Sequence, residues 1–407
     1  MIKKIQVQQL RVGMHVSDFN AGWLDHPFVL NSMKIDSDEQ VEKVLASGVK
    51  ELFINTARGL DVDDAPTRSE AAAQTERQLE SIAAGGKTRI AERQVSLAEE
   101  MARAKNTFTE ATKIIRGVMD DVRLGRQIEV EASKAVVEKI TSSVMRNGNA
   151  MQSMRRLQSH DDYTFLHSVS VCTMLTTFSK AVGLDLATTH DVALGALLHD
   201  IGKMRVNLSL LNKPAKLSDD EFRHMKSHVV LGSDLLRQMS GVPKISFEPL
   251  EMHHERFDGS GYPNGLKGTE ISQAGRMSAI VDVYDAITSD RCYHSPIGPA
   301  DGIRKLFEWS KFHFDPELVQ IFVKSVGIYP VGTLVRLESG RLGVVIEQRE
   351  SNLLTPVVRV VFDARRDYYI APEDVDLSKA MGAGGADKIV GHESASKWKI
   401  DIPRFMQ

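Results

Sequence analysis

The stretch Leu197-Leu198-His199-Asp200-Ile201-Gly202-Lys203 joins the end of an apolar run to a histidine–aspartate pair, a glycine and a lysine. The apolar residues before the pair predict a buried helix that ends close to it. A neutral imidazole beside a carboxylate is a suitable ligand pair for a divalent metal ion. One His-Asp dipeptide is a weak signal, so the interpretation depends on the other histidines and aspartates of the chain.

The composition is that of a globular protein with two or three domains. The chain has 407 residues, 42% of them hydrophobic, and a formal net charge of −3, which argues against binding to a nucleic acid polymer or a membrane surface. Cys172 and Cys292 form no CxxC motif, so a reduced, cytoplasmic protein is expected. The first residues lack the apolar core of a signal peptide, and no run approaches the roughly 18 apolar residues of a membrane span.

Residues 1–56 are predicted to form a small α+β region with a docking or regulatory role. Short strands are expected at Ile5–Val7, Leu10–Val12 and Glu51–Ile54, and Ser37 has the position of a helix cap. This region contains no pattern typical of a nucleophile or a metal site.

Residues 57–126 are predicted to be a linker followed by a long helix. Small and polar residues dominate up to about Lys87. From residue 88 to 122, charges of both signs alternate with apolar residues at helical spacing. This pattern predicts either a long helix that pairs with another helix, for example in a dimer, or a solvated connector helix.

Residues 127–327 are predicted to be all helical, and period-two strands are predicted after Gly327, at 334–337, 343–346 and 357–361. The strands indicate a small β appendage over 328–376, and 377–407 is expected to be a loosely ordered tail. The predicted fold class is therefore mainly α, with a small α+β N-terminal domain and a small β C-terminal appendage. The expected helices of the central part are 129–145, 154–182, 188–199, 218–239, 271–289 and 315–326.

Ten of the 13 histidines lie between His160 and His313, which indicates where metal chemistry is expected. Inward side chains of facing helices commonly build metal sites in a helical bundle. His167 by itself would more often be a buried core histidine, and His224 and His228 share one helix face. Seven residues are candidate ligands of one site: His167, His199, Asp200, His228, His253, His254 and Asp282.

Asp282 and Asp285 share a helix face because they are three residues apart. In an otherwise apolar run, a carboxylate at Asp282 is costly unless it is paired or bound to a metal. Five histidines and two aspartates would satisfy two metal ions, with Asp200 in a position to bridge them. Two ions about 3.5–4 Å apart that share a hydroxide are suited to in-line attack at phosphorus.

The doublet His253-His254 precedes a glycine-rich segment, Glu255-Arg256-Phe257-Asp258-Gly259-Ser260-Gly261-Tyr262-Pro263-Asn264-Gly265. The backbone amides of such a loop could bind phosphate. A glycine-rich segment is, however, more often only a turn.

These motifs together resemble the HD-GYP domain, a subgroup of the HD metal-dependent phosphohydrolases. The resemblance rests on His199-Asp200-Ile201-Gly202-Lys203, on His253 to Pro263, and on Ile280-Val281-Asp282-Val283-Tyr284-Asp285-Ala286-Ile287-Thr288-Ser289-Asp290-Arg291. It covers roughly residues 130–325 and implies an HD-type helical bundle. The first 56 residues are more weakly similar to the uncharacterised domain that often precedes HD-GYP in bacteria.

The resemblance implies a phosphodiesterase that opens cyclic di-GMP to linear pGpG, with a further step to GMP left open. It implies two divalent ions, iron or manganese, one held by His199, Asp200, Asp282 and His167 and the other by His228, His253 and His254. Asp200 and Lys203 would be catalytic, with Lys203 on the scissile phosphate. The implied substrate-binding residues are Lys203, Gly261, Tyr262, Pro263, Asp285, Arg291 and His294.

The Gly261-Tyr262-Pro263 loop is further implied as a partner surface, for diguanylate-cyclase (GGDEF) proteins. Two positions depart from the family pattern. Tyr163 stands where some members have a glutamate that completes a third metal site, so two metals are expected. His294 stands where a basic residue is frequent, which predicts weaker substrate affinity or a weaker second step. A catalytically silent cyclic di-GMP receptor or scaffold, and an HD hydrolase of another nucleotide, are the alternatives.

Overall fold

The computed structural model describes residues 1–20, 32–85, 95–156, 163–211, 213, 217–289, 296–349, 352–379 and 387–406, without the side chains of Arg156, Tyr163 and Leu208. The chain divides into two compact units. The first comprises Met1–Leu79 with Lys216–Asp219, and the second comprises the rest.

The first unit contains an antiparallel sheet in the order β1-β4-β2-β3. Helix α1, Asp38–Ala46, begins where the Ser37 hydroxyl accepts the backbone N–H of Gln40, as the sequence predicted. The predicted strand at Leu10–Val12 is wrong, because Val7–Gln9 forms a 3-10 turn and the chain enters the sheet only later. The strands are β1 Ile2–Gln6, β2 His15–Asp18, β3 Met33–Lys34 and β4 Glu51–Asn55.

The remaining helices are α2 Arg68–Ala84, α3 Leu97–Arg123, α4 Glu131–Arg156, α5 Tyr163–Val182, α6 Leu186–Leu198, α7 Leu208–Leu211, α8 Asp219–Lys226, α9 His228–Gln238, α10 Phe247–Met252, α11 Gln273–Thr288, α12 Pro299–Trp309, α13 Pro316–Val326 and α14 Ala395–Trp398. Helix α6 is buried from Val192 to its end and packs on α4, α5 and α10. Helix α3 buries its apolar face, which includes Phe108 and Ile115, and packs along α4. The partner of this amphipathic helix is thus a helix of the same chain.

Of the predicted helix over 154–182, residues 157–162 lie outside the described part; α4 includes Met154 and ends at Arg156, and α5 begins at Tyr163. Another helix predicted as continuous is broken. The predicted helix from Ser218 to Met239 is divided at Ser227. The hydroxyl and the amide of Ser227 both donate to the carbonyl of His224, at 2.6 and 3.2 Å, and this turn makes His228 the first residue of α9.

The glycine after the His-Asp pair is required by packing. Gly202 belongs to a 3-10 helix, Ile201–Arg205, that packs on α9. A Cβ atom at Gly202 would lie 1.9 Å from the carbonyl oxygen of His228 and 2.5 Å from the amide nitrogen of Gly232. Only glycine therefore allows the turn that follows Asp200 to approach the start of α9.

The C-terminal strands form an antiparallel sheet in the order β8-β7-β6-β5-β9. The prediction of a loosely ordered tail is wrong for residues 387–406, because β9 pairs with β5 and Ile400, Phe405 and Met406 are buried in the core of this sheet. Residues 380–386 lie outside the described part. The strands are β5 Leu334–Leu337, β6 Arg341–Glu347, β7 Val357–Asp363, β8 Tyr368–Asp376 and β9 Ile389–His392.

The predicted fold class, mainly α with a small α+β part at the N-terminus and a β appendage at the C-terminus, is confirmed. The domain boundaries at residues 56, 126, 327 and 376 stay predictions. Within the described residues, no helix combines the length and the apolar character needed to cross a membrane.

The close approach at Gly202 leads to a stability prediction. Gly202→Ala is expected to lower the free energy of unfolding by about 1–3 kcal/mol, because the added methyl group must push the 3-10 helix away from α9. Chemical denaturation followed by far-UV circular dichroism measures the change. The matched control is Gly117→Ala in α3, where an added Cβ meets nothing within 4 Å and a helix-interior glycine is removed. Equal stability of the two variants would contradict the argument.

Candidate metal centre

Three histidines of the predicted set are anchored in the same way. The Nδ1 atoms of His199, His228 and His253 lie 2.8, 2.7 and 2.8 Å from the backbone carbonyl oxygen three residues earlier. An Nδ1 atom that donates to a carbonyl carries the proton of the neutral ring, so each Nε2 is left with a lone pair. All three rings are buried, and the local backbone therefore fixes the tautomer suited to metal binding.

His167 on α5 is oriented by a side chain instead of a carbonyl. Its Nδ1 lies 2.7 Å from Oδ2 of Asp285, and its Nε2 lies 3.1 Å from Oδ1 of Asp282. The other oxygen of Asp285 accepts a hydrogen bond from Arg155 at 2.7 Å. Partners of this kind orient a ligand ring and raise its basicity. His167 is thus a buried ring that faces two carboxylates and a second imidazole.

Asp200 lies between two pairs of imidazole nitrogens. Its Oδ2 is 3.4 Å from Nε2 of His199 and 3.7 Å from Nε2 of His167. Its Oδ1 is 3.5 Å from Nε2 of His228 and 3.9 Å from Nε2 of His253. Each carboxylate oxygen thus faces a different pair of rings.

The arrangement leaves one buried carboxylate oxygen that a cation would satisfy. Among the residues that the structure describes, none forms a hydrogen bond with the buried Oδ1 of Asp200, and a buried polar atom without a partner is costly. The Nε2 atoms of His199 and His167 face each other at 3.3 Å, and those of His228 and His253 at 3.4 Å. These ligands, all nitrogen and oxygen, fit borderline or hard divalent ions.

His254 and Asp282 complete the cluster. The His254 ring lies 4.1 Å from the His253 ring and 5.2 Å from the His228 ring, centroid to centroid. Three groups each have potential ligand atoms within 4.8 Å of one another: His228, His253 and His254; His167, His199 and Asp282; and His199, Asp200 and His253. The structure therefore brings all seven predicted ligands together.

The charges of the site are strongly perturbed. Burial, together with the charge of Lys203, lowers the pKa of His228 to about 4, and burial with the neighbouring His199 lowers the pKa of His253 to about 3. Although burial opposes it, the charge of Lys203 holds the pKa of Asp200 well below its usual range. Burial also opposes the change at His167, but hydrogen bonds to Asp282 and Asp285 raise its pKa to about 9.

The glycine-rich loop is held by a buried carboxylate. Glu255, which is 1% exposed, accepts the backbone N–H groups of Asn264 at 2.8 Å and Leu266 at 3.0 Å. A Cβ atom at Gly261 would lie 2.3 Å from the amide nitrogen of Arg256, so the loop closes only with glycine there. The loop brings the Tyr262 ring onto His254, with centroids 4.6 Å apart and ring planes 28° apart.

The predicted substrate-binding residues differ in where the structure places them. Lys203 bonds to Oδ2 of Asp200 at 2.6 Å with 23% of its side chain exposed. Asp285 does not fit a substrate contact, because it is fully buried and its two oxygens bind Arg155 and His167. Arg291 and His294 lie outside the described residues. Gly261, Tyr262 and Pro263 lie in the loop over His254.

Sequence reasoning missed two supporting residues. Arg155, which bonds Asp285 and whose guanidinium lies 5.3 Å from the Tyr284 ring centroid, was part of a predicted helix with no sign of a site role. Glu255 stood inside the quoted loop motif but was given no function. The three-residue spacing that predicted a shared face for Asp282 and Asp285 was the available signal for a carboxylate next to a ligand.

Comparison with known proteins agrees with this geometry. A domain of unknown function (DUF3391) matches residues 2–133, and the HD domain matches residues 142–318. Cyclic di-GMP phosphodiesterase PA4108 of Pseudomonas aeruginosa is 41% identical over 401 residues, which cover 98% of this chain and 94% of that protein. The chain belongs to the HD-GYP family.

Other relatives match a smaller part of the chain. A cyclic di-GMP phosphodiesterase of Thermotoga maritima is 33% identical over 177 residues, 43% of this chain and 47% of that protein. The 3'3'-cGAMP-specific phosphodiesterase 2 of Vibrio cholerae is 38% identical over 128 residues, 31% of this chain and 24% of that protein. This HD-GYP chain is an enzyme of the phosphodiesterase class, and its HD domain implies divalent metal binding.

The raised pKa of His167 predicts proton release on metal binding. In the metal-free protein the ring is protonated at neutral pH, because its pKa is about 9, and a metal ion must displace that proton from Nε2. The affinity for Mn²⁺ is therefore expected to rise about tenfold per pH unit between about pH 6.5 and 8.5, and to level off above about pH 9. Competition with a chelator of known pH dependence measures this. An affinity that is flat or falls over the range would refute the assignment.

The position of Asp285 predicts an orienting role. Asp285→Asn keeps the shape but removes the charge behind His167, so metal affinity is expected to fall about 10–100-fold. The comparison is made near pH 9, where the His167 proton competes least. The control is Asp315→Asn, which also removes a buried carboxylate from an arginine, Arg276, but lies outside the cluster. Equal affinities in the two variants would show that Asp285 has no such role.

Proposed function

We propose that this protein hydrolyses cyclic di-GMP to linear pGpG in a metal-dependent reaction and so lowers the level of this second messenger. The observation that carries the proposal is the convergence of seven candidate ligands in a chain whose relative over 98% of its length is a cyclic di-GMP phosphodiesterase. A silent receptor is the alternative, and an intact ligand set argues against it. We also propose further hydrolysis of pGpG to GMP, which would be detected as GMP among the reaction products.

Two divalent ions, iron or manganese, are proposed to be held by His167, His199, Asp200 and Asp282 at one position and by His228, His253 and His254, with Asp200, at the other. Such ions activate water as a nucleophile and stabilise charge on a phosphoryl oxygen. Support for a shared Asp200 comes from its two oxygens, each of which faces a different pair of Nε2 atoms. The Nδ1 hydrogen bonds hold the rings in place, so little reorganisation accompanies binding.

Lys203 is proposed to act on the substrate as well as on Asp200. An ammonium group has three donors, and one of them is used by Oδ2 of Asp200. Because 23% of the side chain is exposed, another donor can reach an oxygen of the scissile phosphate. Charge on that oxygen grows during attack, and a cation held by a buried carboxylate stabilises it there.

Two interactions with other proteins are not tested by the described contacts. Diguanylate-cyclase (GGDEF) proteins as partners of the Gly261-Tyr262-Pro263 loop, and a homodimer, stay predictions. Substrate contacts of Arg291 and His294 likewise stay predictions. The 3'3'-cGAMP-specific relatives make that dinucleotide the first competing substrate to test.

Incubation of the protein with cyclic di-GMP, or with 3'3'-cGAMP, in the presence of Mn²⁺ or anaerobic Fe²⁺ tests the function, with chromatography of products over time. Asp200→Asn is expected to reduce kcat/KM below about one hundredth, because partners outside the ligand shell are already worth 10–100-fold. The control is Asp234→Ala, a half-exposed aspartate on α9.

Metal analysis accompanies the kinetics. Protein purified without chelator is expected to hold close to two ions per chain, and three tightly held ions would contradict the interpretation of Tyr163. Unchanged turnover by metal-depleted Asp200→Asn would reject the mechanism. Binding of cyclic di-GMP by the wild-type protein without any product would favour the silent receptor.

A further inference from the structure

Helix α8 presents an aromatic ring and a lysine to the glycine-rich loop. The Phe222 ring lies 6.3 Å from the Tyr262 ring, centroid to centroid, and nearly perpendicular to it, at 80°. The ammonium nitrogen of Lys226 lies 4.6 Å from the Phe222 centroid and 5.2 Å from the Tyr262 centroid. Both distances are within the range of cation–π attraction. Two rings from different elements therefore hold one cation.

This cation lies next to the metal cluster. The opposite neighbour of Tyr262 is the ring of His254, a member of the ligand set, at 4.6 Å. The Lys226 ammonium is therefore no more than about 10 Å from the His254 ring. Tyr262 links the two by stacking, and the same short segment carries His228, two residues after Lys226.

The charge of Lys226 has no acidic partner among the residues that the structure describes. Lys203, in contrast, is bonded to Asp200 at 2.6 Å. Attraction to two rings holds an ammonium in place but does not neutralise it, as a carboxylate would. Lys226 is therefore a positioned positive charge, without an acidic partner among the described residues, at the His254 side of the cluster. An anionic ligand would gain electrostatic binding energy there.

We propose that Lys226 binds the second phosphate of the cyclic dinucleotide, the one that is not cleaved, while Phe222 and Tyr262 hold its side chain in position. The inference rests on the proposed function, because it assumes a substrate with two phosphodiester groups. When one phosphodiester lies at the metal cluster beside Lys203, the macrocycle of the dinucleotide places the other phosphodiester away from the cluster. Lys226 thereby selects dinucleotides over substrates that contain a single phosphodiester.

The test compares two substrates and three variants. Lys226→Met keeps the apolar stem on the two rings and removes the charge. It is expected to raise KM for cyclic di-GMP about tenfold, the value of one charge-assisted contact, with kcat changed less than about twofold. The KM for bis(p-nitrophenyl) phosphate, which has one phosphodiester, is expected to stay the same. Lys226→Arg is expected to restore most of the affinity, since it keeps the charge.

Lys305→Met is the matched control, because Lys305 also lies over an aromatic ring, 5.4 Å from the centroid of Trp309, but belongs to α12. Equal losses with both substrates would mean that Lys226 only supports the fold and would overturn the inference, as would unchanged KM for cyclic di-GMP.

Equilibrium binding of cyclic di-GMP to the wild type and to Lys226→Met separates the two proposals. If the wild type binds cyclic di-GMP without making product, and Lys226→Met binds it more weakly, the proposed function is rejected and the role of Lys226 is retained. No binding and no product rejects both.

Discussion

The centre of this protein depends on the orientation of imidazole rings by the backbone. His199, His228 and His253 each bond through Nδ1 to a carbonyl three residues earlier, so their Nε2 lone pairs point toward Asp200. The described residues offer no hydrogen bond to the buried Oδ1 of Asp200, which is unfavourable unless a cation is present. Folding therefore creates a site with a large affinity for positive charge.

The surrounding helices are arranged to maintain this geometry. The buried helix α6 delivers His199 and Asp200 at its end, and the missing side chain at Gly202 lets the next turn approach α9. The break at Ser227 makes His228 the first residue of α9. Each of these features interrupts regular helical structure, and each brings a candidate metal ligand nearer to the others.

The second requirement is access for a large, doubly charged substrate. Glu255 holds the loop from below through two backbone amides, and Tyr262 extends the stack of rings from His254 toward the surface of α8. The metal cluster and the loop are thus parts of one structure. Tyr262 contacts His254 twice, by ring stacking and by its backbone N–H, which donates to the His254 carbonyl at 3.1 Å.

The sequence by itself determined the fold class and most elements, and it predicted the seven candidate ligands that the structure brings together, because apolar periodicity and the spacing of the histidines are local properties. It misjudged the tail, whose burial depends on β9 meeting β5, a strand about 50 residues earlier. It also assigned Asp285 to the substrate, whereas only the packing of α5 against α11 reveals His167 and Arg155 as its partners.

The alignment of Lys226, Tyr262 and His254 was likewise decided by the tertiary structure, since it joins three separate elements. Local pattern identifies which residues are able to bind a metal. Long-range packing decides which rings meet, which carboxylate lies behind His167 and which aromatic rings contact Lys226, because burial and pairing depend on residues far apart in the chain.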